Sequence, residues 1–216
     1  MNAQVNDIPL IGNRFTFGVD GGIAMPAGNF GSTDNSNGTI NGFAKSGFHY
    51  DIYAGVRLIS CLGIMAQYGA NNNSFNTAAI NTPPGGSASA SGGYTTSEYL
   101  VGPYLSFKLI KIKIEVKLLA GEVTNKYPTL SFDSYGNSVS DAFQNGSGFG
   151  YCAGAKIKYM VAGGMLGIGL GLNYVGSDMN YSGWSQTSVS GGTTQYGSFK
   201  TSVGLIEATL GLSLDI

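Results

Sequence analysis

The sequence predicts an all-β fold, an eight-stranded antiparallel up-and-down transmembrane β-barrel with short periplasmic turns and four long extracellular loops. Three observations carry that prediction. Stretches of roughly ten residues alternate apolar and polar side chains, the connections between them alternate tight and long, and one face is apolar throughout while the other collects the charges. The tight connections are Ser60-Cys61-Leu62-Gly63, the Ile110-Lys111 corner and Ala162-Gly163-Gly164, which read as hairpin turns. The long ones run from about Ala27 to Ser46, Asn72 to Thr96, Tyr127 to Ser147 and Ser177 to Ser198, and their Gly, Ser, Asn and Thr content reads as mobile surface loops. In barrels of this type the tight turns face the periplasm, which places both chain ends there and sets the strand number at eight.

Each strand shows the same division of labour between its faces. In the first, near Asn13 to Met25, Phe15, Phe17, Val19, Ile23 and Met25 share one face, with Arg14, Thr16, Asp20 and Ala24 on the other. In the second, Phe48, Tyr50, Ile52, Ala54, Val56 and Leu58 alternate with His49, Asp51, Tyr53, Gly55 and Arg57. The third is the weakest, with Ile64, Ala66, Tyr68 and Ala70 against Met65, Gln67, Gly69 and Asn71. Tyr99, Val101, Leu105 and Phe107 then oppose Glu98, Gly102, Tyr104, Ser106 and Lys108, and Ile112, Ile114, Val116 and Leu118 oppose Lys113, Glu115 and Lys117. A lysine turned to lipid near the midplane costs about 2–4 kcal/mol, so the charged face is the inner one. The sixth strand sets Phe149, Tyr151, Ala155, Ile157 and Tyr159 outward and Gly150, Gly154, Lys156 and Lys158 inward. The seventh alternates Leu166, Ile168, Leu170 and Leu172 with Gly167, Gly169, Gly171 and Asn173. The eighth runs outward through Ile206, Ala208, Leu210, Leu212, Leu214 and Ile216, leaving Glu207, Thr209, Gly211, Ser213 and Asp215 inside; Phe199 and Val203 above it have the opposite parity, which predicts a bulge.

Aromatic placement gives an independent check. Tyr50, Tyr99, Tyr151 and Tyr174 point outward about nine to eleven residues from the tight turns and form an upper girdle, while Phe15, Phe107 and Tyr159 form a lower one. Pro103 sits mid-strand and removes a ladder donor, so a bulge or a carbonyl rearrangement is expected there.

Composition narrows the alternatives. Neither a linker nor a shift in composition divides the 216 residues, so residues 13–216 read as one barrel domain preceded by a periplasmic N-terminal segment, 1–12. A net charge of -1 without a Lys/Arg-rich run removes the electrostatic footprint of a nucleic-acid binder. No stretch of ~18 apolar residues exists for a helical span, whereas a membrane strand needs only about 9–11. Cys61 falls in a turn and Cys152 high on a later strand, more than ~20 Å away at the β rise, so two free thiols are expected. An exported barrel requires a leader, and the Asn2-Ala3-Gln4 start reads as the end left after its removal.

The Val101-Gly102-Pro103-Tyr104-Leu105 and Leu118-Leu119-Ala120-Gly121 segments, within this architecture, resemble those of outer-membrane β-barrel or porin-family proteins of the OmpA/OmpX/OmpW kind, Bacteroidota-like in detail. The resemblance covers Asn13 to Ile216 and implies a multi-pass protein of the bacterial outer membrane, in contact with its lipid and lipopolysaccharide. It departs at the C-terminus: such barrels usually close on an aromatic residue, and this chain ends Leu214-Asp215-Ile216.

The inward face collects Arg14, Arg57, Lys108, Lys113, Lys117, Lys156 and Lys158 with Asp20, Asp51, Glu98, Glu115 and Glu207. Eight strands enclose little more than their own side chains, so these charges are expected to interlock as a plug. The competing reading takes inward Gly55, Gly102, Gly154, Gly167, Gly169 and Gly171 as space for water or a slender ligand; the plug reading has them accommodate long side chains from the opposite wall. Catalysis is not expected. The sole histidine, His49, lies inward beside Asp51 rather than at the outer lipid face, one His and two separated Cys make no zinc set, and Gly167-Ile168-Gly169 lacks the helix and acidic partner of a nucleotide site. No metal and no cofactor is expected.

The long loops hold aromatics in weakly charged surroundings, among them Phe43, Phe75, Tyr135 and Trp184, suited either to contact surfaces or to packing together over the barrel mouth. Pro83-Pro84 and the Gly/Ser/Ala run after it mark the second loop as the most mobile. The leading functional reading is a structural or interaction role, with loops presented outside and other envelope proteins as partners. The alternative is a narrow porin passing small or hydrophobic solutes. A soluble lipocalin-like barrel would invert the faces.

Overall fold

The computed structural model describes residues 14–34, 41–135 and 137–216. The N-terminal segment 1–12 lies outside the described residues. Thirteen strands follow in order: β1 (Phe15–Pro26), β2 (Ala44–Ile59), β3 (Leu62–Phe75), β4 (Ser87–Ser91), β5 (Tyr94–Leu109), β6 (Ile112–Lys126), β7 (Thr129–Ser134), β8 (Asn137–Phe143), β9 (Gly146–Val161), β10 (Leu166–Tyr181), β11 (Trp184–Ser188), β12 (Thr193–Tyr196) and β13 (Phe199–Asp215). Eight of them close a barrel in the order β1-β13-β10-β9-β6-β5-β3-β2, and the other five form a second sheet in the order β12-β11-β8-β7-β4. Closure is made by β1 and β13 from Thr16↔Asp215 to Pro26↔Leu205, with the Phe15 and Ile216 backbones bonded in both directions.

The faces follow the alternation. Phe17, Val19, Ile52, Val101, Leu118, Ile157, Leu170 and Leu212 are all exposed, whereas Asp20, His49, Asp51, Glu98, Glu115, Lys158 and Glu207 are buried. Large apolar side chains outside and charges inside exclude the soluble-barrel arrangement, because hydrocarbon solvates that surface and water does not. On β2 the outward apolar run goes from Phe48 to Leu58, the length a membrane strand needs, about 9–11 residues. The girdle residues Phe15, Tyr50, Tyr99, Phe107, Tyr151, Tyr159 and Tyr174 are all exposed on this wall. Tyr68 joins them, 6.4 Å from Tyr50 and 5.1 Å from Tyr99 between ring centroids.

The three tight turns are where the sequence places them. Ser60 and Cys61 join β2 to β3, Ile110 and Lys111 join β5 to β6, and a short 3-10 turn, Ala162–Gly164, joins β9 to β10. Gly163 and Gly164 take φ of 71° and 93°, which their lack of a Cβ permits. Ile110 takes φ 56°, a conformation that crowds a β-branched side chain, and it is 93% exposed. Both cysteines are free thiols.

Two expectations are corrected and one is narrowed. No bulge marks the parity change above β13: its register with β10 runs without a shift from Leu166↔Leu214 to Tyr181↔Phe199, and Val203 and Leu205 point inward. The chain keeps its alternation there, and it is the lumen that turns apolar. Of the two accommodations expected at Pro103, a bulge or an inward carbonyl rearrangement, the bulge is absent: Val101 faces Ala120 and Tyr104 faces Lys117, an advance of three residues on each strand, with the pairing interrupted at Gly102 and Pro103 between them. The outward, exposed position of Pro103 leaves the register with β3 intact, Ile64↔Pro103. Irregularities instead fall at both ends of β2, between Arg57 and Ile59 and between Ala44 and Gly47, where the Asn73 amide donates to the carbonyls of Ala24 and Lys45 at 3.0 and 2.9 Å.

The second correction concerns the long loops, of which three are folded. The run after Pro83-Pro84 becomes β4, paired with β7, and β8 pairs with both β7 and β11. Strands from the second, third and fourth loops therefore assemble into one sheet beyond the barrel mouth, for the reason that governs any loop backbone: its polar groups find partners in a ladder.

Candidate functional site

The lumen is filled in layers, and register dictates the layers. Nearest the tight turns, Lys113 lies 2.9 Å from both Glu115 and Asp215, and Lys158 lies 2.7 Å from the other oxygen of Glu115. These four side chains come from β6, β9 and β13, with Lys113 directly opposite Lys158 in the ladder. Like charges facing across two strands are tolerable because one carboxylate bridges them. The next layer pairs Lys156 with Asp20, and the Lys156 ammonium also donates to the Tyr53 hydroxyl at 2.9 Å. Lys117 donates to the amide oxygen of Gln67 at 2.5 Å.

The middle layer centres on His49. Its Nε2 lies 2.9 Å from Asp51, and its Nδ1 lies 2.8 Å from the Asn71 amide oxygen and 3.2 Å from Glu207. Both ring nitrogens are thus within hydrogen-bond reach of oxygen. The Asn71 amide nitrogen in turn donates to Glu98 and Glu207 at 2.6 and 3.1 Å, and Asn173 donates to Glu207 at 3.1 Å. The group is fully enclosed.

Above it the chemistry changes. Leu100, Leu119, Val123, Cys152, Val175, Met179, Val203 and Leu205 make an apolar plug of buried side chains. Aromatic rings roof it in a continuous series. Phe43 stacks on Phe75 at 5.8 Å, Tyr94 meets Tyr127 at 4.7 Å, Tyr127 meets Phe143 at 4.4 Å, Tyr181 stacks on Phe199 at 4.7 Å and Trp184 on Tyr196 at 3.9 Å. Two hydrogen bonds fix the roof to the wall: Tyr94 to the Gly42 carbonyl at 2.5 Å, and Asn125 to the Tyr181 hydroxyl at 2.8 Å.

Inward glycines do not leave a passage. A Cβ at Gly169 would meet Lys156 and Lys158, one at Gly154 would meet Asn173 and Lys117, one at Gly55 would meet Thr16 and Tyr104, and one at Gly18 would meet Tyr53. The side chains that use this space come from adjacent or next-but-one strands rather than from the opposite wall. Among Asp20, Tyr53, Met65, Glu115, Lys117 and Lys156 the residual cavity is ≈ 10 Å³, at the lower limit for one water. On the outer wall, Ala54 and Ala66 leave an open groove of ≈ 790 Å³ flanked by Phe17, Ile52, Tyr68 and Val101.

The charged residues named from the sequence divide three ways. Asp20, Asp51, Glu98, Lys113, Glu115, Lys156, Lys158 and Glu207 are buried in the lumen, and Lys117 and Arg57 are half-buried. Arg14 and Lys108 are exposed at the turn end and stand outside the network: each is the last charge before the barrel rim, where alternation no longer implies enclosure. Asp215, Tyr53, Gln67, Asn71 and Asn173 complete the network. Parity had set them inward, and the criterion of charge alone passed over the four neutral ones. Of the loop aromatics proposed as contacts, Phe43 and Phe75 are buried in the roof, Trp184 is half-buried in its stack and Tyr135 is 79% exposed. Rings of that size gain more by covering apolar surface than by waiting in water.

No known protein family profile matches the chain, and no curated protein matches it in sequence. Solved structures do match. A major outer membrane protein from Thermus thermophilus superposes with a TM-score of 0.51 at 11% identity, covering 94% of this chain and 99% of that one. The outer membrane protein OprG from Pseudomonas aeruginosa gives 0.51 at 12% identity, covering 94% and 98%. The outer membrane protease OmpT from Escherichia coli gives 0.51 at 10% identity, covering 95% and 94%. At these identities the likeness is one of fold, and the fold is that of outer-membrane β-barrels.

Proposed function

We propose that the protein is an integral barrel of the bacterial outer membrane, exported by way of a leader, whose role is structural and interactive rather than catalytic or conductive. The observation that carries this reading is the filled lumen: interlocked ion pairs below, an apolar plug above and a ≈ 10 Å³ residue of space between Asp20, Glu115 and Lys156. What faces outward is then what can act. That is the apolar wall, in contact with membrane lipid and lipopolysaccharide, and the loop-built sheet with exposed Tyr135, which suits contact with other envelope proteins. The matching folds belong to outer-membrane proteins, which favours that location. One of them is a protease, so fold alone is silent on catalysis. The non-catalytic reading rests on His49, which is enclosed among Asp51, Asn71 and Glu207 where no substrate reaches it.

Conductance across planar bilayers tests the reading. The refolded protein is expected to insert and remain electrically silent over many insertions. Sustained conductance that changes in Arg57→Gln or Lys117→Gln would replace it with transport of small solutes through the lumen.

A further inference from the structure

The eleven Lys and Arg residues fall into three groups. Lys113, Lys117, Lys156 and Lys158 serve the lumen. Lys45, Lys126 and Lys200 are exposed toward the loop end, where exposed Asp34, Glu122, Asp133 and Asp178 accompany them. Arg14, Lys108 and Lys111 are exposed at the turn end with half-buried Arg57 nearby, and the acidic side chains described at that end, Glu115 and Asp215, are buried on Lys113. Among the described residues the turn-end rim thus exposes three basic side chains, in a chain of net charge -1.

Within that rim a cavity of ≈ 350 Å³ opens between the Ile110-Lys111 and Ala162–Gly164 turns, lined by Lys108, Lys111, Tyr159, Val161 and Gly164. A side chain at Gly164 would collide with the Lys108 ammonium, so the glycine makes room for it. From the cavity toward the middle of the barrel the wall is apolar: exposed Tyr159 faces exposed Ile112, and exposed Ile157 faces half-buried Ile114, across β6 and β9. Two ammonium groups, an interfacial tyrosine and a hydrocarbon wall in sequence match a lipid that carries an anionic headgroup.

We propose that this cavity binds an anionic phospholipid of the periplasmic leaflet, its phosphodiester between Lys108 and Lys111 and its acyl chains along Tyr159, Ile112 and Ile157. The proposal rests on the outer-membrane reading. The phosphate draws its affinity from two cations at the bilayer surface and the chains from apolar contact; free phosphate lacks the chains, and a zwitterionic lipid adds to its phosphodiester an ammonium that the two lysines repel.

Native mass spectrometry of the whole chain tests it. The protein is first folded into phosphatidylcholine vesicles, then released in detergent with phosphatidylglycerol or phosphatidylethanolamine. Retention of phosphatidylglycerol is expected to exceed that of phosphatidylethanolamine on the order of tenfold, to fall to the same level in K108Q/K111Q, and to persist in K126Q/K200Q. Both lysines of the first variant are exposed, so folding is unaffected. Equal retention of the two lipids, or an effect of K126Q/K200Q equal to that of K108Q/K111Q, overturns the site. Displacement of the lipid by millimolar inorganic phosphate would reassign it as a site for free phosphate. Failure to fold into the vesicles at all would overturn the outer-membrane reading, and with it the site, before any lipid is compared.

Discussion

The two halves of the lumen solve one problem by opposite means. Toward the turns, Lys113, Lys156 and Lys158 are closed off by Glu115, Asp20 and Asp215; toward the loops, Leu119, Val123, Val175, Val203 and Leu205 pack as an ordinary core beneath an aromatic roof. Both halves exclude water, but they fail differently. An ionic layer is held by specific partners, and removing one leaves a charge buried without compensation. An apolar layer is held by area and volume, and a truncation leaves a cavity that neighbours partly fill. The boundary between them is the His49 layer, where neutral Asn71 and Asn173 adapt carboxylates to the apolar plug above.

The largest effect is expected at Glu115, which serves both Lys113 and Lys158. Glu115→Ala should cost about 3–5 kcal/mol in chemical unfolding from lipid vesicles, while E115L/K158M, which removes both signs together, should cost less than the single change. If the double variant is the weaker, the ionic half is not held by partnership and the contrast with the apolar half collapses. Leu205→Ala, wholly buried in the plug, should cost about 3 kcal/mol and should not interact with E115A in a double-mutant cycle. Coupling above ~0.5 kcal/mol would mean that the halves fold as a single unit.

Smaller effects separate the barrel from the sheet built on it. Ile110→Gly relieves a left-handed turn residue and should stabilise the barrel by about 1 kcal/mol, read by the same unfolding assay, with no change in the exchange of β8 and β11 amides. Asp141, on β8 in the second sheet, accepts from the Gln186 amide at 3.0 Å, yet burial raises its pKa above the usual 3.8. A carboxyl raised in the folded state holds its proton more tightly there than in the unfolded chain. Its contribution is therefore greatest below the unfolded pKa and is lost as pH rises through the folded one. Protection of the β8 and β11 amides, taken relative to the intrinsic exchange rate at each pH, should rise on acidification toward pH 4, and Asp141→Asn should flatten that dependence while protection of the barrel strands stays unchanged.

Legibility in the sequence tracked how local the cause was. The eight wall strands, their faces, the three tight turns and the girdle all follow from period-two alternation and from turn residues within a few positions of one another. The same rule, applied to Phe199 and Val203, suggested a bulge, because an apolar residue at an inward position is indistinguishable from an outward one in the wrong register. Only the knowledge that the upper lumen is apolar separates the two. At Pro103 the chain alone left a bulge and a carbonyl rearrangement both open, and the register with β6, which keeps its count across the proline, excludes the bulge.

Which residues meet the membrane and which meet one another is written in the chain, since side-chain parity along a strand is fixed by backbone geometry and lipid penalises every charge on the wrong side. The choice of partners is not written there and emerges from the assembled barrel. Glu115 faces Lys156 in the ladder, yet it bridges Lys113, two residues along β6, and Lys158, diagonally across on β9, a choice that register alone does not make. Likewise β4, β7, β8, β11 and β12 are short polar segments with no signal of their own; Ala88↔Phe132 and Ser185↔Ala142 pair across long stretches of chain only after the barrel has set the loop bases side by side. Closing the wall supplies that proximity, and it costs the loops far less entropy to pair once their ends are held than to find one another as free chain.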